Sequence, residues 1–205
     1  MFKEHFQNRI VAYLFICTIF IMGIFFGSLA TNNMAMEQKQ ALNNYLINFF
    51  QTTTSNDSLP KNMLARQSIM DNVVKTVGVM WLLGLSILGA PLILVVIFIR
   101  GFVVGFTIGF LLQEMFWRGL ILTVASVLPH NLIILPAILV AGAAAISFSW
   151  TTVRVLMGKK NVNIYHQLLM TTSTISFAVV LLVGGAFVEA FITPVLIDFV
   201  NNYLI

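Results

Sequence analysis

Apolar runs of membrane-spanning length alternate with short polar breaks along this 205-residue chain. Residues 10–29 form the first run, and about 20 apolar residues suffice to cross a bilayer as a helix. Residues 73–99 predict a second span and residues 101–117 a third, with Arg100 at the turn of the hairpin between them. Gly84, Gly89 and Pro91 predict a kink in the second span, because proline removes a helical hydrogen bond. Residues 119–128 are apolar but only about half as long as a crossing helix. Segment 119–130 is therefore expected to be an interfacial or re-entrant helix that ends at Pro129. Residues 132–150 predict a fourth span and residues 168–192 a fifth, followed by a short tail from Pro194. The predicted fold class is all-α: a polytopic integral membrane helical bundle of about five transmembrane helices, one membrane domain over residues 1–205.

The sizeable polar region is 31–72, expected to be an extracytoplasmic loop carrying amphipathic helices. Within 37–50, Ala41, Leu42, Tyr45, Leu46, Phe49 and Phe50 recur at helical spacing. QTTTSNDSLP at 51–60 reads as a turn. Ser68, with Asp71 three residues later, reads as the N-cap of the next helix, and 61–70 is expected to lie along the membrane surface. The loop is too short for a folded domain with its own core. The first apolar run exceeds the usual apolar core of a signal peptide, so it is read as an uncleaved first transmembrane helix.

Composition agrees with the pattern. The chain is 59% hydrophobic and 9% charged, whereas soluble domains carry about 25% charged residues. Cys17 is the one cysteine and forms no intramolecular disulfide. No basic stretch interleaved with aromatics suggests nucleic-acid binding. Lys and Arg in short loops set orientation. Lys3, Arg9, Arg100, Arg154, Lys159 and Lys160 cluster at one set of membrane edges. Lys39, Lys61, Arg66, Lys75 and Arg118 are spread over the other side, diluted by Glu37, Asp57 and Asp71. The N-terminus is expected in the cytoplasm, with the 31–72 loop and the C-terminus outside.

Gly101, Gly105 and Gly109 recur every four residues and so share one helix face. Small residues at that spacing let two helix backbones approach closely. Pro129, His130 and Asn131 interrupt the apolar run, and Pro136 follows. Ala137, Ala141, Gly142, Ala144 and Ala145 then give the next segment a small face of its own. The polar candidates gather toward the outer side. Glu114 and Arg118 lie four apart, in the favourable order for an ion pair on one helix. His130 precedes the fourth span and Glu189 lies inside the fifth. Ionisable groups in a membrane are costly and have partners facing the bundle. Two readings are open: a proton-linked or substrate site built from Glu189, His130 and Glu114, or a polar clamp that pins helix ends. No H-E-x-x-H, P-loop, G-x-S-x-G or C-x-x-C motif is present, and no catalytic residue, cofactor or metal site is expected.

GFVVGFTIGF at 101–110, VLPHNLIILPAILVAGAAAISF at 127–148 and GGAFVEAFITP at 184–194 are similar to the stage II sporulation protein M family. The resemblance spans essentially the whole chain. The wider family often carries glycine after the histidine and glutamate before the leucine of the second proline; here Asn131 and Ile134 stand there. The resemblance implies a role in engulfment during endospore formation. It implies a cell-membrane protein of the sporulation septum and mother-cell engulfing membrane that holds the peptidoglycan hydrolases, stage II sporulation proteins D and P. Homo-oligomerisation is left open. The alternative from the residues is a small-solute or ion transporter or channel using the Glu189 region.

Overall fold

The structure, a computed structural model, describes residues 2–54, 61–86, 88–158 and 163–203, with side chains in 12–45, 61–86, 88–158 and 163–200. Among the described residues there is no strand. The elements are α1 (Phe2–Asn32), α2 (Met36–Thr54), α3 (Lys61–Ile69), α4 (Val79–Gly84), α5 (Gly89–Met115), α6 (Trp117–Ser126), α7 (Leu128–Leu156), α8 (Ile164–Phe187) and α9 (Thr193–Tyr203). Two π-helical segments, Met70–Gly78 and Val188–Ile192, join α3 to α4 and α8 to α9 without leaving helical backbone geometry.

Among the described residues, four helical segments are long and apolar enough to cross a membrane: Ala12–Asn32, Gly89–Met115, Leu128–Leu156 and Ile164–Val200. Large apolar side chains such as Leu14, Phe25, Phe177 and Val180 point outward. In water such a surface would aggregate, whereas in lipid it is solvated. The apolar window of α7 is 50% buried, against 28% for α1 and 22% for α5, so α7 is the central helix. Its small residues explain this. Ala137, Ala141 and Ala145 are fully buried, and Gly142 faces the side chains of Ile93 and Ile97 on α5.

The glycine face of α5 packs against α1, the most extensive helix pair of the bundle. A Cβ on Gly101 or Gly105 would fall on the carbonyl oxygen of Phe20 or Ile24. The contact is reciprocal, because Gly23 and Gly27 of α1 lie against the carbonyls of Phe98 and Phe102. Phe102, Phe106 and Phe110 stack one turn apart along the edge of this seam, at 6.3 and 6.4 Å between ring centres. Gly109 sits opposite Ser28, and Gln113 donates to Thr31 and Asn32 at 2.7 and 2.5 Å. Higher numbers on one helix meet higher numbers on the other, so α1 and α5 run in the same direction.

Two parallel crossings need a return pass between them. Lys61–Gly84 makes it, running antiparallel to α5: Gly89 abuts Leu83, and Arg100 reaches Asp71 and Thr76. The returning helix therefore covers 61–84, which is not among the four apolar enough to cross by composition alone, and the next apolar helix is 89–115, correcting the expected 73–99 and 101–117. The chain reverses just before Gly89, where Gly89 N donates to Ser86 O at 3.1 Å and Ser149 Oγ donates to the same carbonyl at 2.9 Å. Pro91 marks the first turn of a new helix, where a missing N–H costs nothing, rather than a kink in an old one. Ser68 is not a cap but lies within this continuous helix, and 61–70 does not lie along the surface.

Other boundaries move for similar reasons. Pro129 sits in the first turn of α7, so the fourth span begins at Leu128 and includes His130 and Asn131 rather than following them. Pro136 lies within α7. The tail after Pro194 is helical, as α9. The wide π turn just before it gives the proline ring room beside the carbonyl four residues back. The expected helix at 37–50 is present and longer, as α2. Most of the expected turn at 51–60 lies outside the described residues, as do Lys159 and Lys160. Between α5 and α7, α6 is about 15 Å long at about 1.5 Å per residue, too short to cross. It packs on α5, α7 and α9.

Candidate functional site

Both π-helical segments face one cavity of about 330 Å³, which opens to the side of the bundle past the exposed Val103. Asn72, from the first segment, lines one wall and Glu189, from the second, another. Arg100 and Thr107 of α5, and His130 and Asn131 of α7, line the rest, with Ser126 at the end of α6. π turns inside α-helices are frequent at functional sites, because the extra residue frees a carbonyl and redirects side chains. Here Arg100 Nη2 and Thr76 Oγ1 both donate to Asp71 O, at 2.8 and 2.7 Å, and Arg100 also bonds Thr76 Oγ1. A side chain of α5 thus fixes the wide turn of the neighbouring helix. Arg100 lies close to the middle of α5, about 16 Å along it at about 1.5 Å per residue. It is not at a hairpin turn, as the sequence suggested, but in the interior of a helix long and apolar enough to cross a membrane.

Glu189 has a partner, as burial in hydrocarbon demands. Its Oε2 accepts from Ser68 Oγ at 2.5 Å, and Asn72 Nδ2 donates to that same Ser68 oxygen at 3.2 Å. Ser68 and Asn72 are 5% and 6% exposed, so this relay is enclosed. Deleting the carboxylate removes the acceptor of a buried hydroxyl, which is costly. His130 shares the cavity with Glu189 but bonds elsewhere. Asn131 Nδ2 lies 3.1 Å from its Nε2 and also donates to Val127 O at 2.8 Å, while Thr193 Oγ1 lies 3.5 Å from its Nδ1. With Asn131 donating to Nε2, the imidazole is held as the Nδ1–H tautomer.

Glu114 does not join this site. The helix breaks at Phe116, whose φ of 45° ends α5, so Glu114 and Arg118 sit on different helices and form no ion pair. Both are exposed. Lys75 and Asp71, four apart, do form an ion pair, at 2.6 Å. The structure thus unites Glu189, His130 and Asn131 and leaves out Glu114 and Arg118. It adds Arg100, Ser68 and Asn72. Ser68 and Asn72 lie one turn apart on the returning helix, and that spacing of polar residues was the available signal. Ile134, at the place where the resemblance sets a glutamate, is buried against Gly185 and also lines the cavity.

The stage II sporulation protein M family model matches residues 16–194. The chain belongs to that family. The match takes in the glycine seam, both π segments and every residue of the cavity, and ends at Pro194. As a family member, the chain is a sporulation-related membrane protein. No curated protein and no solved structure matches it.

Proposed function

We propose that this protein is a membrane scaffold that localises and holds peptidoglycan hydrolases, stage II sporulation proteins D and P, at the engulfing septal membrane. Family membership over residues 16–194 carries this reading. The shape of one end of the bundle supports it. There α9 packs on both α2 and α6 near the ends of α1 and α5, forming a helical platform suited to a protein partner. Full-length protein, solubilised from sporulating cells and captured by a tag, should co-purify both hydrolases. Their absence from a capture that retains the intact protein would overturn the reading.

The scaffold reading requires the platform to face outward, where the wall lies. Arg154 ends α7, at the opposite end of the bundle, and Lys3 and Arg9 lie in the first turns of α1. Even without Arg100, which is no loop charge, the positive-inside rule supports a cytoplasmic placement of that end. A reporter fused after Ile205 should be active only outside the cytoplasm, and one inserted at Lys160 only inside. A cytoplasmic signal from the Ile205 fusion would contradict the five-pass arrangement.

A second reading, passage of a small solute or ion through the Glu189 region, draws on the charged cavity. Flux into proteoliposomes above that of protein-free vesicles is its test.

A further inference from the structure

Arg100 and Glu189 line the same cavity but form no ion pair with each other. Each is only partly engaged by the protein. The guanidinium spends one nitrogen, Nη2, on two neutral acceptors, Asp71 O and Thr76 Oγ1. The carboxylate spends one oxygen, Oε2, on the Ser68 hydroxyl. The other guanidinium nitrogens and Oε1 have no hydrogen bond among the described residues, and no side-chain polar atom is both fully buried and unsatisfied. These atoms therefore border open space. Two opposite charges on one cavity that attract each other across it but make no direct ion pair recover only part of the cost of their desolvation. Thr76 and Ser68 hold them in place from the facing helix, so the separation is built in.

We propose that the cavity is a binding site for a small zwitterion, whose oxyanion is held by Arg100 and whose primary ammonium is held by Glu189. An anion alone would meet the Glu189 carboxylate, and a cation alone would meet the guanidinium. A ligand carrying both charges satisfies both walls. The volume of about 330 Å³ lies at the small end of ligand pockets, roughly 300–1,000 Å³, and suits a molecule of dipeptide size. Thr107 on α5 and Asn131 on α7 supply neutral polar contacts between the charged walls. Both a free amino acid or peptide and a phosphoethanolamine headgroup have this chemistry, and the experiment separates them.

The full chain in an uncharged maltoside detergent is titrated by calorimetry with alanylalanine and with glycerophosphoethanolamine. Controls lacking one charge are N-acetyl-alanylalanine, alanylalaninamide and glycerophosphoglycerol, a diester that keeps the single negative charge. One zwitterion should bind saturably, and each control derived from it should bind roughly tenfold more weakly, or worse, for the lost charged contact. Glu189→Gln, which keeps an acceptor for Ser68, should narrow the gap between that zwitterion and its control lacking the ammonium. The proposal fails if neither zwitterion binds more tightly than about 1 mM. It also fails if the singly charged controls bind as well as their parents, or if Glu189→Gln leaves the gap unchanged. These outcomes are independent of hydrolase capture, so the scaffold reading stands or falls separately.

Discussion

Gly105→Leu is expected to leave little folded protein in the membrane. A Cβ at this position already lands on the Ile24 backbone, and backbone cannot rotate away as a side chain can. The four-carbon side chain would force α1 and α5 apart along their whole seam. Overpacking typically costs 1–3 kcal/mol, and a rigid clash at the largest interface of the bundle lies at or beyond the upper end, about 3 kcal/mol or more. Even Gly105→Ala should be damaging. Gly109→Ala should be milder, because its Cβ would meet Ser28 Cα at 3.0 Å and side-chain atoms at 3.2 and 3.3 Å. Gly184→Ala is the control, since nothing lies within 4 Å of the added carbon. Membrane abundance by immunoblot and thermal unfolding in detergent should rank the four variants in that order. Wild-type abundance of Gly105→Leu would show that α1 and α5 do not meet through this face.

Glu189→Ala should destabilise the bundle by about 1–3 kcal/mol, the cost of leaving a buried donor without its acceptor. The loss propagates along the relay, because Asn72 donates to the Ser68 oxygen that Glu189 anchors. Glu189→Gln keeps an amide oxygen in the same place and should fold nearly as well as wild type. Ser68→Ala removes the other partner and should weaken the fold in the same direction as Glu189→Ala. Because the two residues touch, the Ser68→Ala/Glu189→Ala double variant should cost less than the sum of the singles. Unfolding midpoints of the four proteins test this coupling. Strict additivity would mean that the hydrogen bond contributes nothing. Loss of hydrolase capture by Glu189→Gln at normal abundance would show that the charge, not the fold it supports, serves the scaffold.

The glycine seam was legible because spacing of four along an apolar run has one geometric meaning. Gly23 and Gly27 carry the same spacing in the first apolar run and so were an available signal, but that this face and the α5 face meet each other is a property of the packing. The hairpin was misplaced because Arg100 resembles a loop charge by every local criterion. Its partners, Asp71 and Thr76, belong to another helix, so the acceptors that make a guanidinium inside an apolar helix tolerable are not adjacent in sequence. The break between Glu114 and Arg118 falls at Phe116, an aromatic residue at positive φ where glycine or asparagine would have announced a turn. Glu189 was rightly expected to need a partner. That the partner is Ser68, 121 residues away, is a property of the packing alone.

The parallel pairing of α1 with α5 also sets a timetable for synthesis. The first helix enters the bilayer with its glycine seam uncovered, and the helix that covers it ends at Met115. Ribosomes add about 5–20 residues per second, so the roughly 80 residues between those events take about 4–16 s. For that interval the exposed seam faces lipid or whatever insertion machinery shelters it. A nascent chain halted before Met115 should therefore cross-link from Gly23 to the insertion machinery, and one halted well beyond it should cross-link to its own fifth helix.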